Sequence, residues 1–208
     1  MGSFADLRRC AAAHVETFMD RAAGYAFHTY DQLYGFSGQL TPLDCFAANL
    51  LSLRLTHNEV IPLFQGGNGA PAALRASMQR VLDETDGSEV FAEMPSIDEP
   101  PFRLVRNANW HTEAVDNWTA VTVSKVLHRL RPQLVPVYDS HVRAFYGVPR
   151  NPARFYATLH ADMQTNRALL ADLADGRLTP DGRPLSALRV LDIVVWHHVR
   201  SQCNGAPR

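Results

Sequence analysis

The 208-residue sequence predicts an all-α protein on three observations. Apolar residues recur at helical spacing over most of the chain. Caps and prolines punctuate those stretches where helices begin and end. No family of alternating apolar and polar runs bounded by turns is present, so no sheet is expected. About seven helices are read from these signals.

Residues 4–34 read as helix, interrupted near Gly24. Thr41, Pro42 and Asp44 make a helix start: a hydroxyl cap, a proline in the first turn and an acid that can reach back. Residues 45–53 are apolar nearly all round, which predicts a helix central to the core. Residues 57–68 read as turn and loop, and residues 70–84 as an amphipathic helix. The acidic, proline-containing stretch 85–101 reads as a long exposed loop, the candidate lid or lobe boundary. Residues 118–131 have helical spacing up to Pro132. Pro136 then holds residues 135–138 extended, and Asp139 and Ser140 open another helix that ends near Gly147. Residues 155–175 and 185–202 form the last two helices.

The length fits a single helical domain spanning 1–208. An apolar share of 46% and a charged share of 20% are those of a chain with a proper core. The three cysteines (Cys10, Cys45 and Cys203) are far apart and show no CxxC or Cys/His cluster. Neither a disulfide framework nor a tetrahedral zinc site is therefore expected, and no metal or cofactor is assigned. A reducing, cytoplasmic setting follows as the default. No apolar run has the roughly 18–20 residues a bilayer requires, so no membrane partner is expected. Asp6, Arg8, Arg9 and Glu16 break the start of the chain, unlike a signal peptide.

The net charge of −1 argues against a clamp on a long nucleic-acid tract. Charge is unevenly placed, though. Residues 83–99 carry seven acids and no base, whereas residues 103–154 carry eight Lys or Arg against Glu113, Asp116 and Asp139, a net of +5. A local basic contact with DNA remains compatible with that pattern.

The segment TVSKVLHRLRPQLVPVYDSHVR, residues 122–143, carries the most information. It resembles the catalytic segment of helix-hairpin-helix base-excision glycosylases. Thr122, then Pro136-Val137-Tyr138-Asp139, then Val142 and Arg143 stand at that family's spacing. The resemblance implies a two-lobed helical fold around a cleft, with Asp139 as the catalytic carboxylate. The chain is also similar to a bacterial family that shares this core and an LR-LD-W motif, here Leu188, Arg189, Leu191, Asp192 and Trp196; that likeness brings no activity with it. Some glycosylase features are changed. Asn117-Trp118-Thr119 stands where the family has Gly-hydrophobic-Gly, and Val121 replaces the lyase lysine, with Lys125 one turn further on. Only monofunctional hydrolysis is implied, and three cysteines cannot hold the family's iron–sulfur cluster.

The chemistry gives Asp139 an independent rationale. Cleaving an N-glycosidic bond builds positive charge on the sugar, which a carboxylate stabilises. At a helix N-terminus the dipole and free amides favour the ionised acid; equally, Asp before Ser is an ordinary cap. His141 is the candidate proton donor. Trp118 and Tyr138, with Phe145, are candidate walls for a base, and Lys125, Asn117 and Arg143 candidate substrate-binding residues. Arg129 and Arg131 read as exposed cations at a helix end. Asp192 lies in an apolar helix and reads as structural, and His197 and His198 point in different directions. Two function classes follow. One is an N-glycosidase acting on a nucleoside, a nucleotide or a modified base in DNA. The other is a non-catalytic nucleic-acid- or partner-binding protein on the same scaffold.

Overall fold

The computed structural model describes residues 2–32 and 37–203. Among these the chain is all-helical, with a single isolated bridge between Leu178 and Pro184 as its only extended pairing. Eleven α-helices run as α1 Ala11–Met19, α2 Phe27–Tyr30, α3 Pro42–Ala47, α4 His57–Val60, α5 Ala70–Asp83, α6 Pro100–His111, α7 Ala120–Leu130, α8 Ser140–Phe145, α9 Pro152–Thr165, α10 Arg167–Ala174 and α11 Ala187–Ser201. No helix among the described residues is long and apolar enough to cross a membrane.

Local signals hold where the sequence has clear punctuation. Thr41 and Asp44 form the expected capping box, with Pro42 in the first turn. Gly24 takes the left-handed conformation (φ 71°) that ends the helical turn before it. The break near Gly24 is only one of several, however. Residues 4–32 divide into a 3-10 turn (Phe4–Leu7), α1, a second turn and α2; Tyr34, at the end of the expected helix, lies outside the described residues.

Four expectations are corrected. The segment after Thr41 is not the central helix: α3 stops at Ala47, a 3-10 turn follows, and Ser52 turns left-handed at φ 65°. Its leucines end up lining a cavity, and Leu50 is 45% exposed. The helix surrounded on nearly all sides is α7, in which every residue from Thr122 to Leu130 is buried. Residues 57–68 are not all loop, because Thr56 caps α4 through a second capping box with Glu59. The stretch 85–101 is no lid: Phe91, Ala92 and Met94 enter the core, the Phe91 amide bonds the Gln133 carbonyl at 2.9 Å, and α6 begins at Pro100. Finally, Asn166 divides the expected helix 155–175 into α9 and α10.

α6 is the helix the sequence pattern does not announce. Two prolines in its first turn resemble a loop, yet proline suits that position. Its buried Phe102, Val105 and Ala108 recur every three residues and pack on α5. One hydrophobic core runs from Phe4 to Val195, and α11 is packed by α1, α8 and α10.

Burying α7 on all faces also buries its polar residues, and most find partners. Ser124 donates to the Val121 carbonyl and accepts the Tyr138 amide, both at 2.9 Å. Arg129 donates to Asp44 at 3.2 Å and to the Gln32 carbonyl at 2.6 Å. Beyond the helix, Arg131 bonds Thr85 and the carbonyls of Leu82 and Thr85. Neither arginine is the exposed helix-end cation its position suggested; both pin distant segments to the core.

Candidate active site

The cavity begins with short-range geometry. Residues 135–139 form no helix before α8: the Asp139 amide bonds the Val137 carbonyl at 3.1 Å in a tight turn at Tyr138, and Asp139 itself is extended (φ −104°, ψ 151°). Val137 and Asp139 face a cavity of about 590 Å3, while Tyr138 packs on Phe155 and Tyr156 in the core. On α7, Val121 and Lys125 are one turn apart and line the same cavity. On α11, Arg189, Asp192, Ile193, Trp196 and Arg200 present one helical face to it. Phe18 and Tyr25 close the side nearest α1.

Asp139 caps α8, its Oδ1 accepting the His141 amide at 2.8 Å. Its Oδ2 lies 3.1 Å from Lys125 Nζ, which also donates to the Leu51 carbonyl at 2.8 Å. Both functions considered for Asp139, cap and cavity carboxylate, therefore coexist.

Beside this pair lies a second charged group that sequence spacing cannot reveal. Arg189 is buried between the Phe18 and Tyr30 rings. It forks onto Asp31 at 2.8 and 2.7 Å and also donates to Asp192. Burial alone would lower the guanidinium, but Asp31 and Asp192 hold it above its ordinary value. Burial pushes Asp192 up to about 6; Asp139 adds to that rise, and Arg189 and Lys125 oppose it. The charges account for this directly. Three carboxylates (Asp31, Asp139 and Asp192) share two cations, Lys125 and Arg189, so one negative charge in a desolvated cluster has no partner of its own. A proton on Asp192 removes that excess.

The aromatic wall is built from side chains distant in sequence. Phe18 stacks on Tyr25 with ring centres 5.0 Å apart, and Trp196 stands edge-on to Tyr25 at 5.8 Å. His141 meets Trp196 at 6.3 Å, also edge-on. At the rim the exposed Arg200 lies over Trp196, 4.7 Å from its ring centre.

Of the residues singled out from sequence, the cavity brings together Asp139, His141 and Lys125, with Arg189, Asp192 and Trp196 of the LR-LD-W motif. The others lie elsewhere. Trp118 is 3% exposed, and its indole donates to the Glu59 carbonyl at 3.0 Å. Asn117 has a left-handed backbone (φ 62°), which asparagine tolerates better than most residues, but its side chain reaches Glu59. Tyr138 belongs to the core, Arg143 does not line the cavity, and Phe145 packs on Tyr146 and His198. Sequence proximity to Asp139 misled because successive side chains of a helix, and of the turn before it, face different ways. Asp192 reads as structural from sequence, yet it lines the cavity. Its signs in the sequence were its place in the LR-LD-W motif and a carboxylate on an apolar helix, four residues before a tryptophan.

Cys45 offers no nucleophile, since burial pushes its thiol up to about 12. Cys10 and Cys203, separated by 193 residues, are brought together and joined as a disulfide, contrary to the reading of three isolated cysteines.

The chain belongs to a family of unknown function (DUF6308), whose family model matches residues 11–199. No curated protein and no solved structure matches it.

Proposed function

We propose that the chain hydrolyses the N-glycosidic bond of a nucleoside or nucleotide in the Asp139 cavity. The observation that carries this reading is a pair of buried carboxylates: Asp139 and Asp192 face one aromatic-walled cavity, and with Asp31 behind them they share the two buried cations Lys125 and Arg189. That arrangement suits a reaction whose transition state is a sugar cation.

In this scheme the base stacks among Phe18, Tyr25 and Trp196. Asp192, protonated around pH 6, gives its proton to the departing base nitrogen as the bond to the sugar breaks. The cluster becomes negative at the moment the sugar becomes positive, so cation and counter-charge arise together. Asp139, held by Lys125 and the His141 amide, faces that cation and accepts a proton from the attacking water. The products are free base and a sugar bearing a new hydroxyl. His141 stands at Trp196 and orients the base, and Arg200 at the rim suits a phosphate.

The fold is proposed to be a helix-hairpin-helix glycosylase relative, with α6 and α7 as the helices and left-handed Asn117 in the turn. A nucleoside-sized substrate is favoured over duplex DNA. The net charge is −1, and Thr119, in place of the family's second glycine, caps α7 with a side chain where a phosphate would approach.

Wild-type protein and Asp139→Asn are incubated with nucleosides, nucleotides and oligonucleotides carrying damaged bases, and free base is read by mass spectrometry. Release by wild type, reduced at least about a hundredfold in a folded Asp139→Asn, is the expected result. No release from any substrate, with the variant losing only stability, would leave Asp139 a helix cap and favour a binding protein.

A further inference from the structure

At the opposite end of α11 from Arg189, the segments around Cys10 and Cys203 meet. Cys10 caps α1, and His14 lies one turn along the same helix face. His198 is in the last turn of α11, and Gln202, with positive φ (56°), turns the chain so that Cys203 returns towards it. Cys203 Sγ is 3.3 Å from His198 Nδ1. One ligand-capable atom from each of Cys10, His14, His198 and Cys203 lies within 4.8 Å of the other three.

A disulfide accounts for two of these four residues. It leaves His14 unexplained: the ring is 5% exposed, its Nδ1 is bonded to His197 Nδ1 at 2.8 Å, and its Nε2 is buried with no hydrogen-bond partner. An orphaned buried nitrogen is costly unless something ligates it. His197, which also meets Ser201 Oγ at 2.9 Å, fixes the ring from its other nitrogen, the place a carboxylate, carbonyl or water takes behind most metal-bound imidazoles.

We propose that Cys10, His14, His198 and Cys203 form a Cys2His2 site for one zinc ion when both cysteines are thiols. The donor set matches structural zinc, with four protein ligands and no open position. From ordinary Zn–S and Zn–N bond lengths, adjacent ligand atoms on a tetrahedral ion stand about 3.5 Å apart, close to the Cys203–His198 separation. The two sulfurs sit on side chains whose Cα atoms are 5.6 Å apart and need only turn about their own bonds to open the same edge. Binding releases two protons, one from each thiol, and two thiolates cancel the charge of the ion, so the buried site is neutral. Starting from the disulfide, a phosphine or thiol supplies the two electrons and is itself oxidised. The ion ties α1 to α11, the two helices that carry Phe18 and Trp196 into the cavity.

The full chain is purified with a phosphine reductant and no chelator, and its metal content is measured by mass spectrometry. One zinc per chain is expected. Metal-free reduced chain should take up one Co2+ and show the visible bands of a tetrahedral ion with thiolate charge transfer. Cys203→Ser and His198→Gln should each weaken Zn2+ binding by more than about a hundredfold. Because a ligand variant can fail to fold, wild type alone is decisive: added Zn2+ should raise its unfolding temperature and protect two of its three thiols from alkylation. Reduced wild type that binds neither Zn2+ nor Co2+, or cobalt bands without thiolate character, would overturn the site and leave a disulfide beside two histidines.

Discussion

Asp192→Asn should reverse part of the chain's dependence on pH. In the folded protein the Asp192 carboxyl rises from its ordinary 3.8 to about 6, chiefly through burial. That difference corresponds to about 3 kcal/mol between its protonation states. The sign follows from linkage. Between pH 3.8 and 6 the native state holds a proton that the unfolded state has released, so this group's contribution is complete below pH 3.8 and lost as pH rises through 6. Most carboxylates act the other way, so the effect is isolated as wild type minus Asp192→Asn. Asparagine keeps an oxygen for Arg189, which stays forked onto Asp31. Urea unfolding at pH 4, 5, 6, 7 and 8 should find wild type about 3 kcal/mol better, relative to the variant, at the acid end than at pH 8. In melting temperature that is of order 6–12 °C for a chain this size. A difference flat to within about 0.5 kcal/mol would mean that Asp192 is an ordinary ionised partner of Arg189, and the carboxylate excess would lose its meaning.

Lys125→Met should destabilise the chain by about 3–5 kcal/mol, because Lys125 and Asp139 side chains are only 5% and 13% exposed and the carboxylate would lose its cation. The double variant with Asp139→Asn should recover part of that loss, and additivity within about 0.5 kcal/mol in chemical denaturation would contradict a desolvated pair. His128 is held down to about 3, first by burial and then by nearby arginines, while the unfolded chain titrates at 6.5. Its contribution is therefore present above pH 6.5 and fades as pH falls towards 3. His128→Phe should flatten that acid limb in thermal melts, and an unchanged slope would exclude His128 as its origin.

What the sequence reveals here has a short reach. The Thr41–Asp44 box, the Asp139 cap and the Gly24 turn each depend on atoms within a few residues, where residue type settles the backbone. The cavity depends on contacts between ends of the chain: Asp31 meets Arg189 across 158 residues, and Phe18 meets Trp196. No local period encodes such a meeting. α7 misleads in a different way. Lys125, His128 and Arg129 suggest a solvated face, and burial becomes tolerable only because Asp139, the Val135 carbonyl and Asp44 wait for them on other segments.

The charges around the cavity divide into those folding needs and those it does not. Asp31 alone balances the charge of Arg189, through bonds to Nε and Nη2 of a guanidinium that lies against two rings. Asp139 alone is matched by Lys125. Asp192 is the remainder. It adds a third carboxylate to a desolvated cluster, and the bond it offers Arg189 Nη1 is one that a neutral amide would supply without the charge. A buried charge that raises its own pKa and faces an aromatic cavity is poorly explained by stability and well explained by proton transfer. The same argument separates His14 from the other core histidines. His128 and His160 each bond a backbone carbonyl, and His128, like His14, keeps a bare Nε2, but only His14 bonds another histidine and lies with two cysteines and a further histidine within 4.8 Å. α11 therefore carries Asp192 at one end and His198 at the other, and in both places the chain keeps polar atoms that its fold alone does not require.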